Sequence, residues 1–154
     1  MDGPPVDQID FDRAIWTIPA ARMKRGIEHA VPLSSRALAI VTELRALRPK
    51  GRYVFPTHDD SPISRAAIWA TACRVTDDKA TVHGFRATFR SWCSDHAVPF
   101  EVAETCLAHA KTSVVAAYDR SSLLERPRPV MSAWADFLGG KVAANVIELQ
   151  ARRA

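Results

Sequence analysis

The segment spanning residues 82–97 constrains the fold of this chain more than any other part of its sequence. Its large apolar side chains repeat at the spacing of one helix face, in the order Phe85, Phe89, Trp92 and Cys93. Such a stripe is typical of a helix that packs against a protein core. Three polar side chains share a second face of the same helix, namely His83, Arg86 and Arg90. The segment therefore predicts a helix that is buried on one side and presents cationic groups on the other.

Two short β-prone runs near the N-terminus predict a small antiparallel hairpin. The runs cover residues 15–18 and 30–33, and the basic stretch 22–26 separates them. This connection places Lys24 on a positively charged tip. Residues 1–14 contain glycine and proline and predict an irregular arm.

Helical periodicity continues through most of the remaining chain. Helices are predicted over residues 35–47, 65–74, 101–108, 112–118 and 130–138. The first has a predicted inward set of Ala37, Ile40, Val41, Leu44 and Leu47. With 154 residues and 47% hydrophobic content, one domain with a buried core is expected. The predicted fold is mainly α with a small antiparallel β-sheet.

The net charge and the cysteine content bear on the possible partners and the cellular compartment of the protein, but they do not indicate a function. A net charge of +4 and a pI near 9.3 permit a nucleic-acid partner but do not indicate one. Cys73, Cys93 and Cys106 have no paired spacing and are expected to be buried free thiols in a reducing compartment. No apolar run approaches the roughly 20 residues of a membrane span, and no secretory leader is recognisable. A soluble cytoplasmic protein is therefore expected.

Several side chains that could take part in catalysis follow one another in a particular order along the chain. They are Lys24 on the hairpin, His83 and Arg86 on one helical turn, His109 at a helix end, and Tyr118 after it. The runs around them are His83-Gly84-Phe85-Arg86, Leu107-Ala108-His109 and Ala117-Tyr118, with His29-Ala30-Val31-Pro32-Leu33 following the lysine. This series resembles the H-x-x-R, L-G-H and tyrosine boxes and the β-hairpin lysine of the tyrosine recombinase (phage integrase) family. The family usually has glycine where Ala108 stands.

The resemblance extends from about Ile9 to Leu138 and is strongest with the integrases of satellite-phage-like prophages and genomic islands. Their H-G-[FL]-R-[AT]-[ST]-F run is matched by residues 83–89. Their terminal M-x-x-W-A run is matched by Met131, Trp134 and Ala135, with Arg126 and Arg128 just upstream. The resemblance therefore implies a tyrosine recombinase catalytic domain.

The resemblance implies site-specific DNA recombination and integration by transesterification through a 3′-phosphotyrosyl intermediate. Tyr118 is then the nucleophile, Arg86, His83 and His109 surround the phosphate, and Lys24 protonates the departing 5′ oxygen. These residue types suit the chemistry, since the attack builds negative charge on phosphate oxygens and fixed cations stabilise it. No ATP, metal, small-molecule cofactor or membrane partner is expected.

The remaining polar residues are expected to bind DNA, to form ion pairs or to lie at the surface. Arg22 and Arg25 are expected to contact the DNA backbone, and Arg90 either to do the same or to serve as an ion-pair partner. The expected partners are double-stranded DNA and further copies of the chain on that DNA. Three histidines are expected at the surface, namely His29, His58 and His96.

One part of the family pattern has no counterpart in these 154 residues. The family places its first catalytic arginine in an A-R-x-G-E-like box, before the segment that corresponds to residues 8–12. Loss of one phosphate-binding cation commonly costs a factor of about 10³ or more, so little strand joining is expected from the chain alone. The catalytic domain is expected over residues 1–140, and residues 141–154 form a tail expected to dock on a partner.

Two other functions stay open from the sequence. A non-catalytic DNA-binding or interaction remnant of an integrase retains the fold and binds DNA without a covalent adduct. A metal-dependent nuclease using His58, Asp59 and Asp60 is the weaker alternative, because adjacent acids in a proline-bounded loop are commonly turn residues.

Overall fold

Most of the described chain is helical, with one small sheet near its N-terminus. The structure, a computed structural model, describes residues 4–77, 81–109 and 122–141. Its elements confirm the predicted fold class, a mainly α protein with a small antiparallel β-sheet. Among these residues, no helix combines the length and the apolar character that crossing a membrane requires.

The sheet contains three antiparallel strands in the order β1-β2-β3, which are Ile9–Asp10, Ile15–Ile18 and His29–Pro32. Strands β2 and β3 form the predicted hairpin, with Ile18 paired to His29 at the start of the connection. Within the connection, Gly26 has a φ of +64°, a left-handed conformation that glycine adopts without strain. The connection spans residues 19–28 and carries the basic residues; a 3-10 turn covers Ala20–Arg22, and the N–H of Gly26 donates to the carbonyl oxygen of Met23.

The prediction of an irregular arm over residues 1–14 was wrong for the residues next to the hairpin. A 3-10 turn covers Val6–Gln8, strand β1 follows it, and Pro5 forms an isolated bridge with Tyr53. The bridge of Pro5 depends on the distant Tyr53, whereas β1 pairs with the adjacent strand β2. A strand of two residues is also too short to leave a periodic signal in the sequence.

The helices in the described ranges are α1 Ser35–Leu47, α2 Arg65–Thr76, α3 Val82–Asp95, α4 Phe100–Cys106, α5 Ser122–Glu125 and α6 Pro127–Leu138. The hydroxyls of Ser34, Ser64 and Thr81 cap α1, α2 and α3 by accepting hydrogen bonds from backbone N–H groups. Pro127 begins α6, where its missing N–H would have no intrahelical partner. The predicted helix over residues 112–118 lies outside the described residues.

The principal core joins α3, α4 and α6. Its buried members are Phe89, Trp92, Cys93, Val98, Val102, Ala103, Leu107 and Val130. Trp134 of α6 packs its ring 5.3 Å from that of Trp92 and 5.5 Å from that of Phe89, measured between centroids. Close packing of this kind leaves α3 and α4 little freedom to shift. The core therefore sets where the polar face of α3 points.

Two residues predicted to face the core do not. Phe85 is 53% exposed, because the buried cluster covers the α3 stripe only from Phe89 onward. Leu47 is 78% exposed at the last residue of α1. The α1 residues that pack against the second cluster, which is centred on Ile9, Val41 and Val54, include Leu38 and Leu44.

The cysteines are free thiols, as predicted, although Cys73 and Cys106 are only half-buried. Burial raises the pKa of Cys93 to about 11, against the opposing effect of the Arg90 charge, and burial also raises the pKa of Cys106 to about 12. Both thiols therefore stay protonated near neutral pH and are poor nucleophiles.

Trp92→Ala is expected to lower the free energy of unfolding by about 3–5 kcal/mol, the usual loss when a buried large aromatic side chain is removed. Trp92 is 3% exposed and belongs to the principal core. Urea unfolding followed by circular dichroism measures the change. Trp69→Ala is the matched control, because Trp69 is 57% exposed on α2 and its loss should cost less than about 1 kcal/mol. Equal losses in the two variants would contradict this placement of the core.

Candidate active site

Arg86 of α3 and His109, which follows α4, meet although 23 residues separate them in the sequence. Nη2 of Arg86 donates a hydrogen bond to the carbonyl oxygen of Leu107 and lies 2.5 Å from Nε2 of His109. Two of the predicted phosphate-binding groups therefore occupy one place, where the polar face of α3 approaches the end of α4.

The turn after α4 directs His109 toward Arg86. Ala108 has a φ of +54°, in the left-handed region, and the N–H of His109 donates to the carbonyl oxygen of Glu104 at 2.8 Å. Helices commonly end on a left-handed residue, and glycine adopts that conformation most easily. The family usually has glycine at this position, and the left-handed turn gives a physical reason for that preference. Ala108 adopts the same turn with some backbone strain.

Glu104 of α4 connects His109 to a second cation on α3. Its Oε2 lies 3.1 Å from Nδ1 of His109, and its Oε1 lies 3.2 Å from Nε of Arg90. Arg90 thus forms the ion pair that was one of its two predicted roles. Glu104 was not singled out from the sequence, since one acid on a short helix carries no distinguishing pattern.

The positive charge of Arg86 remains available to an anion. In the described part of the chain no carboxylate forms an ion pair with Arg86, whose hydrogen-bond partners are a carbonyl oxygen and an imidazole nitrogen. His83 lies near the start of the same helix and is exposed. A planar guanidinium that no acid neutralises is suited to hold two oxygens of a phosphate.

The hairpin tip reaches the same region. Nη1 of Arg25 donates to the carbonyl oxygen of His109 at 3.4 Å. Elsewhere in the hairpin segment, Nη1 of Arg22 donates to Oε1 of Gln8 at 2.8 Å. Lys24 precedes Arg25 and is exposed. Within residues 4–77, 81–109 and 122–141, no hydrogen bond or ion pair joins Lys24 to Arg86 or His109. The tip therefore adjoins the Arg86–His109 pair through Arg25.

Tyr118, the predicted nucleophile, lies outside the described residues, and so do positions 142–154 of the predicted tail. The described part of the site contains groups that can bind phosphate or transfer protons, which are His83, Arg86, His109 and the neighbouring Lys24. This set suits an anionic substrate.

His29 is a residue of the site that sequence reasoning missed. It was expected at the surface, but it is half-buried on β3. Burial lowers the pKa of His29, and the positive charge of Arg86 lowers it further. A neutral imidazole therefore lies near Arg86. Its position in the run after the hairpin lysine was the only available signal.

The predictions for the other two histidines expected at the surface, His58 and His96, had different outcomes. His96 is half-buried, and its ring stacks on that of Trp92 with centroids 4.6 Å apart, so the prediction for it was wrong. His58 is fully exposed, as predicted. His96 lies just beyond the end of α3, where packing against the aromatic core rather than periodicity decides its burial.

The loop considered for a metal-dependent nuclease does not bring its side chains together. Nδ1 of His58 lies 3.2 Å from Oδ1 of Asp59, but Asp60 faces Arg52, whose Nε lies 3.5 Å from Oδ2. Asp60 also accepts a hydrogen bond from the backbone N–H of Arg52. Across the described ranges, no group of three or more His, Cys, Asp or Glu side chains is placed to hold a metal ion.

Comparison with known proteins decides the family. The phage integrase family matches residues 5–124, which is more than half of the sequence. This chain belongs to the phage integrase family. The resemblance inferred from the motifs is thereby confirmed, and no solved structure shows a significant match.

Relatives in the phage integrase family include proteins of prophages and phages. Prophage integrase IntA of Escherichia coli (strain K12) is 35% identical over 145 residues, which cover 92% of this chain and 35% of that protein. The integrase of Shigella phage Sf6 is 32% identical over 139 residues, covering 87% and 36%, and that of Enterobacteria phage P4 is 32% identical over 152 residues, covering 86% and 35%. The chain thus spans about a third of the length of these relatives.

Ala108→Gly is expected to stabilise this integrase-family chain by about 1 kcal/mol, because a left-handed φ costs an L-residue roughly 1–2 kcal/mol that glycine avoids. Urea unfolding measures the change. Ala87→Gly is the matched control: Ala87 is exposed within α3, and glycine there should destabilise by about 1 kcal/mol. Destabilisation by both variants would contradict the left-handed turn at Ala108.

The free energy of unfolding is expected to fall as the pH drops below 6.5, the ordinary pKa of histidine, toward the lowered pKa of folded His29. A histidine whose pKa is lowered by folding binds its proton more tightly in the unfolded chain. Its contribution to stability is therefore complete above the unfolded pKa and is lost in acid. Urea unfolding across a pH series measures the slope, which His29→Gln should reduce.

His58→Gln is the control for this pH series, because His58 is fully exposed. It should leave the slope as in the wild type. A slope that His29→Gln does not reduce would show that His29 is not shielded beside Arg86.

Proposed function

We propose that this chain carries the catalytic domain of a site-specific DNA recombinase, which cuts and rejoins double-stranded DNA through a covalent tyrosine intermediate. The meeting of Arg86 and His109 carries the proposal, because it brings two motifs of the family together at a cation that no described acid neutralises. The proposed domain covers residues 1–140.

Arg86 is proposed to bind the phosphate that is attacked. Its side chain is half-buried, and the carbonyl oxygen of Leu107 holds one of its N–H groups. The guanidinium is thus oriented before DNA arrives. Negative charge grows on the non-bridging phosphate oxygens during the attack, and a preoriented cation stabilises that charge without reorganisation. His83 and His109 are proposed to donate to the same phosphate or to accept the proton of the nucleophile.

Tyr118 is proposed as the nucleophile. Its phenolic oxygen attacks phosphorus, the bond from phosphorus to the 5′ oxygen breaks, and the 3′ phosphate stays joined to the tyrosine. The phenolic proton goes to a histidine, and Lys24 gives a proton to the departing 5′ oxygen. Attack by a 5′ hydroxyl reverses these steps, so rejoining needs no external source of energy.

Basic side chains near the site are proposed to bind the DNA backbone. Arg22 and Arg25 belong to the hairpin segment, and Arg25 already contacts the turn that carries His109. Strand exchange joins two duplexes, so several copies of the protein are proposed to assemble on DNA. Residues 141–154 are proposed to dock on a neighbouring copy. Because its proposed substrate is DNA, the protein is also proposed to be cytoplasmic.

A covalent-trapping assay tests the proposal. The substrate is a pool of nicked duplexes of randomised sequence, from which the short strand is lost after cleavage, so that rejoining cannot occur. With the upstream part of prophage integrase IntA fused before it, the wild-type chain should accumulate a protein–DNA adduct that survives detergent; the chain alone should accumulate little, and Tyr118→Phe should form none. Arg86→Ala should lower the rate of adduct formation by a factor of about 10³. His58→Ala, in a loop outside the site, should leave the rate unchanged.

The same assay separates the role of Lys24 from that of Arg86. Sulfur replaces the 5′ bridging oxygen in a second substrate, and a thiolate leaves without a proton because a thiol has a pKa of about 8.5. Lys24→Ala should be slow on the oxygen substrate and restored on the sulfur substrate, whereas Arg86→Ala should be slow on both. Failure of the sulfur substrate to restore the rate would exclude Lys24 as the general acid.

The variants are compared in this chain and in a fusion in which the upstream part of prophage integrase IntA precedes it. The fusion is needed because these 154 residues contain no counterpart of the family's first arginine box. Adducts of equal yield with Tyr118→Phe would contradict the assigned nucleophile. DNA binding that weakens with salt, without any adduct in either form, would instead support the non-catalytic DNA-binding function.

A further inference from the structure

Glu104 lies behind His109, on the opposite side of the imidazole from Arg86, and the reaction described above leaves it without a role. We propose that Glu104 is a positioning residue, which keeps the proton of His109 on Nδ1 and directs Nε2 at Arg86. Arg90 in turn holds the Glu104 carboxylate. The catalytic consequence of this arrangement rests on the proposed function, whereas the arrangement itself does not.

The hydrogen-bonding capacities of the two neighbours define where the His109 proton lies. Arg86 has only donors, so Nε2 of His109, at 2.5 Å from Nη2, has to accept. An ionised Glu104 has only acceptors, so Nδ1 of His109, at 3.1 Å from Oε2, has to donate. A neutral ring with its proton on Nδ1 satisfies both contacts. A doubly protonated ring would place a donor against a donor at Nε2.

Arg90 and the α4 helix hold the Glu104 carboxylate in place. The side chains of Arg90 and Glu104 are 32% and 22% exposed, so their ion pair is partly shielded from water. The guanidinium of Arg90 also lies over the ring of Phe100, 4.8 Å from its centroid. Phe100 and Glu104 both belong to α4, so Arg90 is anchored twice on one helix. The second carboxylate oxygen is left for His109.

This arrangement prepares His109 for proton transfer in either direction. Nε2 is unprotonated and can accept a proton when it exchanges its contact with Nη2 of Arg86 for one with the nucleophile, while the Leu107 carbonyl continues to hold the guanidinium. The Glu104 carboxylate then stabilises the imidazolium, which can return that proton from the same nitrogen. A carboxylate orients the histidine of the Ser-His-Asp triad by the same logic.

Nitrogen-15 NMR of the His109 ring tests the arrangement in the full chain without DNA. The wild type is expected to show a protonated Nδ1 and an unprotonated Nε2. Glu104→Leu should abolish this pattern, and Glu104→Gln should retain it only in part, because its single amide oxygen is shared between two donors, Nε of Arg90 and Nδ1 of His109. Glu101→Leu is the matched control, since Glu101 is exposed on the same helix.

Two NMR results would overturn the proposal. One is a wild-type ring protonated only on Nε2, which requires no variant to fold. The other is an unchanged His109 ring in Glu104→Leu.

Covalent trapping measures the catalytic consequence. Glu104→Leu is expected to lower the rate of adduct formation by about 10–100-fold, by analogy with partners that orient metal-binding histidines. Glu104→Gln should recover only part of that loss, because one amide oxygen replaces two carboxylate oxygens, and Glu101→Leu should lose nothing. A wild-type rate in a Glu104→Leu variant whose ring has changed would also overturn the proposal. If neither the wild-type chain nor its fusion forms an adduct, the proposed function fails, while the NMR result still decides the role of Glu104.

Discussion

The contact between the Arg86 guanidinium and the turn at Leu107 and His109 is the constraint on which the candidate site depends. It joins α3 to the end of α4, and both helices are held by the same aromatic core. Leu107 belongs to that core, so the carbonyl that accepts from Arg86 is part of the packed structure. Any change that moves α4 against α3 would separate the two groups proposed to bind phosphate.

Around this contact, no carboxylate of the described residues forms an ion pair with Arg86. Glu104 belongs to the same network, and its oxygens face Arg90 and His109 rather than Arg86. His29 adds no positive charge at neutral pH, because burial and Arg86 both lower its pKa. The site therefore keeps a concentrated positive charge at Arg86, which is what an attacked phosphodiester requires.

The strain at Ala108 shows how local backbone geometry serves this arrangement. A left-handed residue at the end of α4 reverses the chain and returns His109 over the helix that carries Glu104. A helix that ended without this reversal would point the histidine away from α3. The backbone conformation thus places the imidazole, and the side chains of Glu104 and Arg86 then orient it.

Most of the elements, and the family, follow from local signals in the sequence. Capping residues and apolar periodicity depend on local chain geometry, so α1, α2, α3 and α6 could be predicted with nearly their observed bounds. The order of the His83, Arg86, His109 and Tyr118 motifs was enough to identify the family, which the comparison confirmed. The pairing of β2 with β3 was likewise predictable, because two β-prone runs lie next to each other in the sequence with only a basic, turn-forming stretch between them.

Only the tertiary structure decided which side chains meet. The burial of His29, the ion pair of Arg90 with Glu104, and the exposure of Phe85 each depend on neighbours supplied by a different element. Periodicity reports which face of a helix is apolar, but it does not report how much of that face a neighbour covers or which acid lies opposite which base. Those facts arise from the packing of α3, α4 and the hairpin against one another, and no single segment contains them.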